Sequence, residues 1–307
     1  MSQSQQKLRK IHIEISNICN LQCSFCPEVE REKKEMDEVL FSRLIREAKP
    51  LTEEVCLHVM GEPLAHPKFS RFVEISSALN VPLNIVTNGT LLNEEKTTTL
   101  LNPTVRQVNF SLQSFLDNFP GKDPSTYLEK IFSFTRKAFL ERPDLYINYR
   151  LWNLDSEQMS NNQNEFIFKK IEEEFSITIN RNVDVKQIKS KKLLNRLYLH
   201  FDSRFQWPNP QSPIRGDKGF CHALSTHIAI HANGTVVPCC LDKEASTKLG
   251  STQETPLQEI LLNKRTQKMK QGFKDGKLIE DLCRRCTYIE RFAKKLPPTL
   301  EQKEILQ

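Results

Sequence analysis

Residues 19–26 read CNLQCSFC and put three cysteines, Cys19, Cys23 and Cys26, on one short turn. Thiolates favour zinc, copper(I) or iron–sulfur clusters. A structural zinc closes its shell with four protein ligands, and no histidine or further cysteine stands near enough in sequence to complete this turn. A 4Fe–4S cluster held by three cysteines leaves one iron open, where a small molecule can bind and be activated. The Cys-x3-Cys-x2-Cys spacing therefore reads as such a cluster, with zinc as the alternative. A second set lies downstream: Cys221, then Cys239 after seventeen residues, then Cys283 and Cys286 as a Cys-x2-Cys pair. Four thiolates of this kind close either a zinc site or a second cluster. Cys56 reads as a mid-strand core residue. Cys240 reads as a buried residue of the opposite strand face, as a replacement for Cys239, or as a donor of a hydrogen atom.

The elements that must position these groups follow from hydrophobic period. Residues 10–16, 53–60, 82–89, 104–114 and 145–153 read as strands, each followed by a helical pattern: 37–49, 66–79, 93–101, 124–140 and 164–175. Repeated strand–helix units imply a parallel sheet. If it curls into a full or partial barrel, the C-terminal strand ends gather the ligand-binding residues. The first cysteine loop, Gly61-Glu62-Pro63, Thr87-Asn88-Gly89, Ser111 with Gln113, and Arg150 with Asn153 all fall there. After about residue 180 the pattern changes. Residues 197–213 form a strand-like run broken by prolines, 227–240 a β-hairpin about Asn233-Gly234, and 256–273 a helix.

The 307 residues carry a formal charge of +6, with 38% hydrophobic and 27% charged side chains, which fits a globular enzyme and excludes a disordered chain. No apolar run reaches the roughly 18 residues of a membrane span. The N-terminal MSQSQQKLRK lacks the apolar core of a secretory signal. The expected location is the cytoplasm, where nine cysteines serve as ligands rather than disulfides. The densest basic run, KQIKSKK at 186–192, reads as a solvated face; an RNA dock has no motif behind it.

CNLQCSFC after a strand resembles the signature of the radical S-adenosylmethionine superfamily, over about residues 10–155. The resemblance implies S-adenosylmethionine on the open iron of a 4Fe–4S cluster and its reductive cleavage. It further implies a 5′-deoxyadenosyl radical that takes hydrogen from a substrate C–H bond. It places Gly61, Glu62 and Pro63 at the methionyl ammonium, Ser111 and Gln113 at the ribose or methionyl group, Arg150 on the methionyl carboxylate, and Phe25 near the adenine. Gln113 departs from a common aspartate. Asn88 matches a turn near the cofactor. Cys221, Gly234 and Cys239, followed by Cys283 and Cys286, resemble a SPASM domain in the shortened twitch form, with one auxiliary 4Fe–4S cluster.

The expected fold is α/β: a partial (β/α)6-type parallel barrel at 10–180, a bridge at 181–215, a cysteine-rich α+β domain at 216–293, and a tail at 294–307. The expected function is oxidation of a small molecule or peptide, a dehydrogenase or maturase aided by the auxiliary cluster. Flavodoxin or ferredoxin is the implied electron donor. The alternatives are an epimerase using Cys240 and, more remotely, a zinc-stabilised nucleic-acid-binding protein. No peptide-recognition segment precedes residue 10, which speaks against a leader-dependent maturase. His58, His227 and His231 read as ordinary polar-face groups, and His222 as a neighbour of a ligand only. Trp207 and Phe205 read as pocket lining or as packing between domains.

Overall fold

The computed structural model describes residues 7–154, 162–181, 188–204 and 206–295. Strands and helices alternate through the first half: β1 Leu8–Ile13, α1 Glu38–Ala48, β2 Thr52–Cys56, α2 Phe69–Ala78, β3 Leu83–Thr87, α3 Glu94–Leu100, β4 Val105–Ser111, α4 Gln113–Asn118, α5 Ser125–Glu141, β5 Tyr146–Leu154 and α6 Asn162–Phe175. Then come β6 Ser190–Leu194, β7 Leu197–Ser203, β8 His227–Ile230, β9 Thr235–Val237, β10 Gly250–Ser251, α7 Leu257–Leu262, α8 Lys264–Lys274 and α9 Asp281–Arg285.

Six strands run parallel in the order β1-β2-β3-β4-β5-β7. The sheet has two ends, so the barrel stays open, as the expected partial (β/α)6 form requires. The C-terminal hairpin does not stand apart. Its β8 pairs parallel with β1, and β9 and β10 continue the same sheet antiparallel. At the other end β6 pairs antiparallel with β7. That edge strand holds Lys191 and Lys192 of the basic run, and charged side chains keep an edge from pairing with another chain. Residues 182–187, which include the start of that run, lie outside the described residues.

Local chemistry explains the elements. Asp37 caps α1, its carboxylate accepting the Leu40 N–H at 2.8 Å. Helix α1 then buries Leu40, Phe41, Leu44, Ile45 and Ala48 against the sheet and α2, with Phe41 stacked 4.1 Å from Phe72. Each such side chain contributes about 1.5–3 kcal/mol through burial. The 256–273 run is two helices rather than one. Asn263 is extended there, and its side chain caps α8 by accepting the Thr266 N–H at 2.8 Å. Gly234 takes φ +84 in the β8–β9 turn, as Asn-Gly predicts.

Strand β5 alternates strictly: Ile147, Tyr149 and Leu151 are buried, and Asn148, Arg150 and Trp152 are half-buried. The first three join the main hydrophobic core, and Arg150 and Trp152 line a cavity. This alternation builds the functional cleft.

Candidate active site

The first cysteine loop leaves β1 through Ile15 and is braced on both sides. The Asn17 side chain donates to the Glu32 carbonyl at 2.8 Å and accepts from the Lys34 N–H at 2.7 Å. Helix α4 reaches the other side. Asp117 accepts the Ser24 N–H at 2.6 Å, and Asn118 accepts the Gln22 N–H at 2.8 Å. Asn118 also donates to the Cys23 sulfur at 3.0 Å, and the Leu21 N–H donates to the Cys19 sulfur at 3.4 Å. Hydrogen bonds of this kind favour a thiolate. Cys23 is drawn down to about 7, chiefly because the Cys26 thiol donates to it, and burial pushes Cys19 up. Cys23 is buried, whereas Cys19 and Cys26 are exposed at the cleft.

Helix α4 was missed in the sequence. The run 104–114 reads as one strand, yet β4 stops at Ser111 and Gln113 opens α4. Gln113 therefore sits on a helix and not at a strand end. Ser111 and Gln113 both line the cavity above the cysteines.

That cavity has a volume of about 620 Å³. Its walls bring together Cys19, Cys23, Cys26, Phe25, Gly61, Glu62, Asn88, Ser111, Gln113 and Arg150. Pro63 lies behind the wall, at the start of a 3-10 turn over Pro63–Ala65. Asn88 ties the β3 turn to the loop by donating from its side-chain amide to Asn20 Oδ1 at 2.9 Å. Trp207, from the bridge, lines the same cavity and donates its indole N–H to the Phe25 carbonyl at 3.2 Å. Phe205 lies outside the described residues.

Gly61 is required here. It has φ +78, and a Cβ would stand 2.4 Å from the Ser16 carbonyl oxygen. Gly61→Ala should lower stability by about 1–3 kcal/mol from the backbone alone, and it should displace the loop. Thermal unfolding and iron uptake of the variant check this.

Glu62 is 2% exposed. It accepts from Thr87 Oγ1 at 2.7 Å, the Asn88 N–H at 2.7 Å and the Leu64 N–H at 2.9 Å. A carboxylate has about four acceptor positions, so one remains for a ligand ammonium. Burial nevertheless pushes its carboxyl up to about 7. The folded protein thus holds this proton above the ordinary value of 4.5. The resulting stability is full below the ordinary value and is lost as pH rises through about 7. Relative to Glu62→Gln, the wild type should lose up to about 3 kcal/mol across that window. Unfolding midpoints of both chains at the two ends of the window test the slope.

The second set also converges. Cys221, Cys239, Cys283 and Cys286 ring a cavity of about 360 Å³ with apolar walls that include Phe273, Leu282 and Ile289. They lie within electrostatic reach of one another: Cys221 and Cys283 act on Cys239, and Cys221 and Cys286 on Cys283. Burial pushes all four thiols up. Among the described residues no three His, Cys, Asp or Glu side chains close tightly enough on one point for a lone metal ion. The four cysteines line one largely apolar cavity, and four thiolates are a donor set that suits an iron–sulfur cluster. His222 packs its ring between Phe220 and Phe292 at 4.9 and 4.8 Å, as a neighbour of the set.

Three further residues reach the cavities. Cys56 is buried in the core, as expected, and also lines the larger cavity. His58 lines it too, half-buried, and desolvation holds the ring well below its ordinary value. Cys240 is half-exposed and lines both cavities, together with Lys10, His12, Trp152 and Leu241. Both faces of a parallel sheet are covered, so alternation alone did not say which face held the cleft.

The Radical SAM superfamily profile matches residues 13–152, and an iron–sulfur cluster-binding domain profile, SPASM, matches residues 221–287. The chain is 33% identical over 109 residues to a tungsten-containing aldehyde ferredoxin oxidoreductase cofactor-modifying protein of Pyrococcus furiosus, covering 34% of this chain and 31% of that protein. It is 29% identical over 103 residues to the PqqA peptide cyclase of Gluconobacter oxydans, covering 33% and 29%. These matches span only about a third of the curated relatives' length. Among solved structures, BtrN in complex with AdoMet and 2-DOIA superposes with a TM-score of 0.60 at 17% identity, covering 92% of this chain and 94% of that one. SuiB of Streptococcus suis bound to its precursor peptide SuiA gives 0.59 at 18% identity, covering 95% and 74%. Those likenesses show the fold. The two domains imply a 4Fe–4S cluster, S-adenosylmethionine and an auxiliary cluster, and the two thiol-lined cavities fit such groups. Each match spans one of the two cysteine sets, so the chain carries a Radical SAM domain over residues 13–152 and a SPASM iron–sulfur cluster-binding domain over residues 221–287.

Proposed function

We propose that the chain oxidises a small molecule or peptide held between its two cysteine sets, as a dehydrogenase or a maturase. One observation carries this reading. The cavity above the loop cysteines adjoins the cavity lined by the second set, the two sharing the wall residues Lys10, His12, Trp152, Cys240 and Leu241. When bound, the loop cluster with S-adenosylmethionine supplies a 5′-deoxyadenosyl radical that takes a substrate hydrogen atom, and the auxiliary cluster supplies an acceptor for the electron left behind.

The chain's own residues do the positioning. Cys19, Cys23 and Cys26 hold the loop group. Cys221, Cys239, Cys283 and Cys286 hold the auxiliary one. The open carboxylate position of Glu62, with Gly61 beside it, receives the methionyl ammonium. Asn88, Ser111 and Gln113 face the rest of the cofactor. Trp207 and Phe25 cover the loop and exclude water. A flavodoxin or ferredoxin in the cytoplasm would supply the electron. Among the described residues no helix is long and apolar enough to cross a membrane. Relatives point to both substrate kinds, since BtrN holds 2-DOIA and SuiB a precursor peptide. A zinc-stabilised nucleic-acid binder leaves the 13–152 match without a cause.

The position of Cys240 on both cavities favours a second reading, an epimerase in which this thiol returns a hydrogen atom. Cys240→Ala separates the two. In the oxidative reading, substrate turnover and 5′-deoxyadenosine formation both survive, within about twofold. In the epimerase reading, turnover stops while S-adenosylmethionine cleavage continues, and solvent deuterium enters the wild-type product. Absence of 5′-deoxyadenosine from the reduced wild type would overturn both.

A further inference from the structure

We propose that Arg150 anchors a compact oxyanion of the substrate, a carboxylate or a phosphate, in the larger cavity beside Trp152, a residue of the wall shared with the smaller one. This rests on the cavity being the substrate site. Arg150 faces the cleft from β5, and its guanidinium lies 4.4 Å over the Trp152 ring. The side chain is half-buried, and its Nε is buried with no hydrogen-bond partner. Among the described residues no carboxylate pairs with it. The groups acting on it most are Cys56, Cys240 and Tyr288. Burial lowers it to about 10, which leaves it charged at neutral pH.

Its surroundings repeat the pattern. Trp152 Nε1 and His58 Nδ1, on the same wall, are buried without partners. Lys10 stands nearby, but its ammonium is taken by Glu54 at 3.0 Å. The wall therefore presents unspent donors and one uncompensated positive charge. A buried donor left unpaired is costly, and a guanidinium fork matches a carboxylate or phosphate edge to edge. The complementary ligand group is an acceptor with negative charge.

The resemblance places Arg150 on the methionyl carboxylate, but its neighbourhood argues for the substrate. Its charge acts on Cys56, Cys240, His12, His58 and His200. The cation acting on Glu62 is Lys96. An anion at Arg150 sets the substrate beside Cys240, between the two cysteine sets.

Titration calorimetry on the anaerobically reconstituted full chain tests this with wild type, Arg150→Gln and Arg150→Lys. S-adenosylmethionine is titrated first. Sodium phosphate and sodium acetate are then titrated into the loaded protein at fixed ionic strength, without reductant. The expected result is S-adenosylmethionine affinity within about twofold in all three. At least one anion should bind the wild type about tenfold or more tightly than Arg150→Gln, with Arg150→Lys between them because it keeps charge but loses the fork. Preference for acetate identifies a carboxylate, and preference for phosphate a phosphorylated substrate. A tenfold loss of S-adenosylmethionine affinity in Arg150→Gln would give Arg150 to the cofactor and overturn the proposal. Equal anion binding by wild type and Arg150→Gln, including none by either, also overturns it. Iron content and circular dichroism establish that each variant is folded; if Arg150→Gln loses iron, Arg150→Lys carries the comparison. A wild type that fails to bind S-adenosylmethionine sinks the functional reading instead, and the anion titrations on unloaded protein still decide this one.

Discussion

Cys26→Ala lowers 5′-deoxyadenosine formation by at least about three orders of magnitude and removes the iron of the loop set alone. The reason is coordination. In the proposed reading three thiolates hold this cluster, and the turn carries no fourth cysteine to replace one, Cys56 and Cys240 coming from β2 and the segment after β9. The second set, ringed by its own four cysteines, keeps its iron. Iron analysis together with chromatography of the reaction products checks both halves. A variant that retained full iron and activity would mean that Cys26 is not a ligand.

The second large effect is expected far from the chemistry. Glu14 is fully buried just past β1, and Arg31 pairs with both of its oxygens at 3.1 and 3.0 Å. Glu14 also accepts the N–H of Met60 at 3.1 Å and of Ala232 at 3.2 Å. Arg31 in turn donates to the Lys243 carbonyl, and Glu244 accepts the Arg31 N–H at 3.1 Å. One carboxylate thus joins the end of the cysteine loop, the approach to Gly61 and the C-terminal hairpin. Removing one partner of a buried pair leaves the other charge uncompensated and costs about 3–5 kcal/mol. Glu14→Gln should therefore lower the unfolding free energy by about that much and loosen the two cysteine sets together. Calorimetric unfolding of the reconstituted chain measures it. A change below about 1 kcal/mol would show that the network is dispensable.

Much of this was legible before the fold was known. Asp37, Asn93 and Asn233-Gly234 punctuate the chain where α1, α3 and the β8–β9 turn begin, because caps and turns depend on local chemistry. The loop cysteines and Gly61-Glu62 were legible for the same reason, since their spacing is local. What depended on tertiary packing was not. Helix α4 begins one residue after β4, and nothing in the run from Ser111 to Ser114 marks the switch. Cys56 read as core and His58 as an ordinary polar-face group, and the place of both on the cavity wall did not show, because a parallel sheet is covered on both faces. The role of Glu14 needed the contacts of residues 31, 60 and 232, which only folding brings together.

Iron and acid-labile sulfide per chain, measured after anaerobic reconstitution, test the central claim most directly. Two cubane clusters on seven cysteines predict about eight irons. About four irons with zinc in the second set would make that set structural and remove the electron acceptor on which the oxidative reading stands. A chain that takes up no iron would contradict the account at its root.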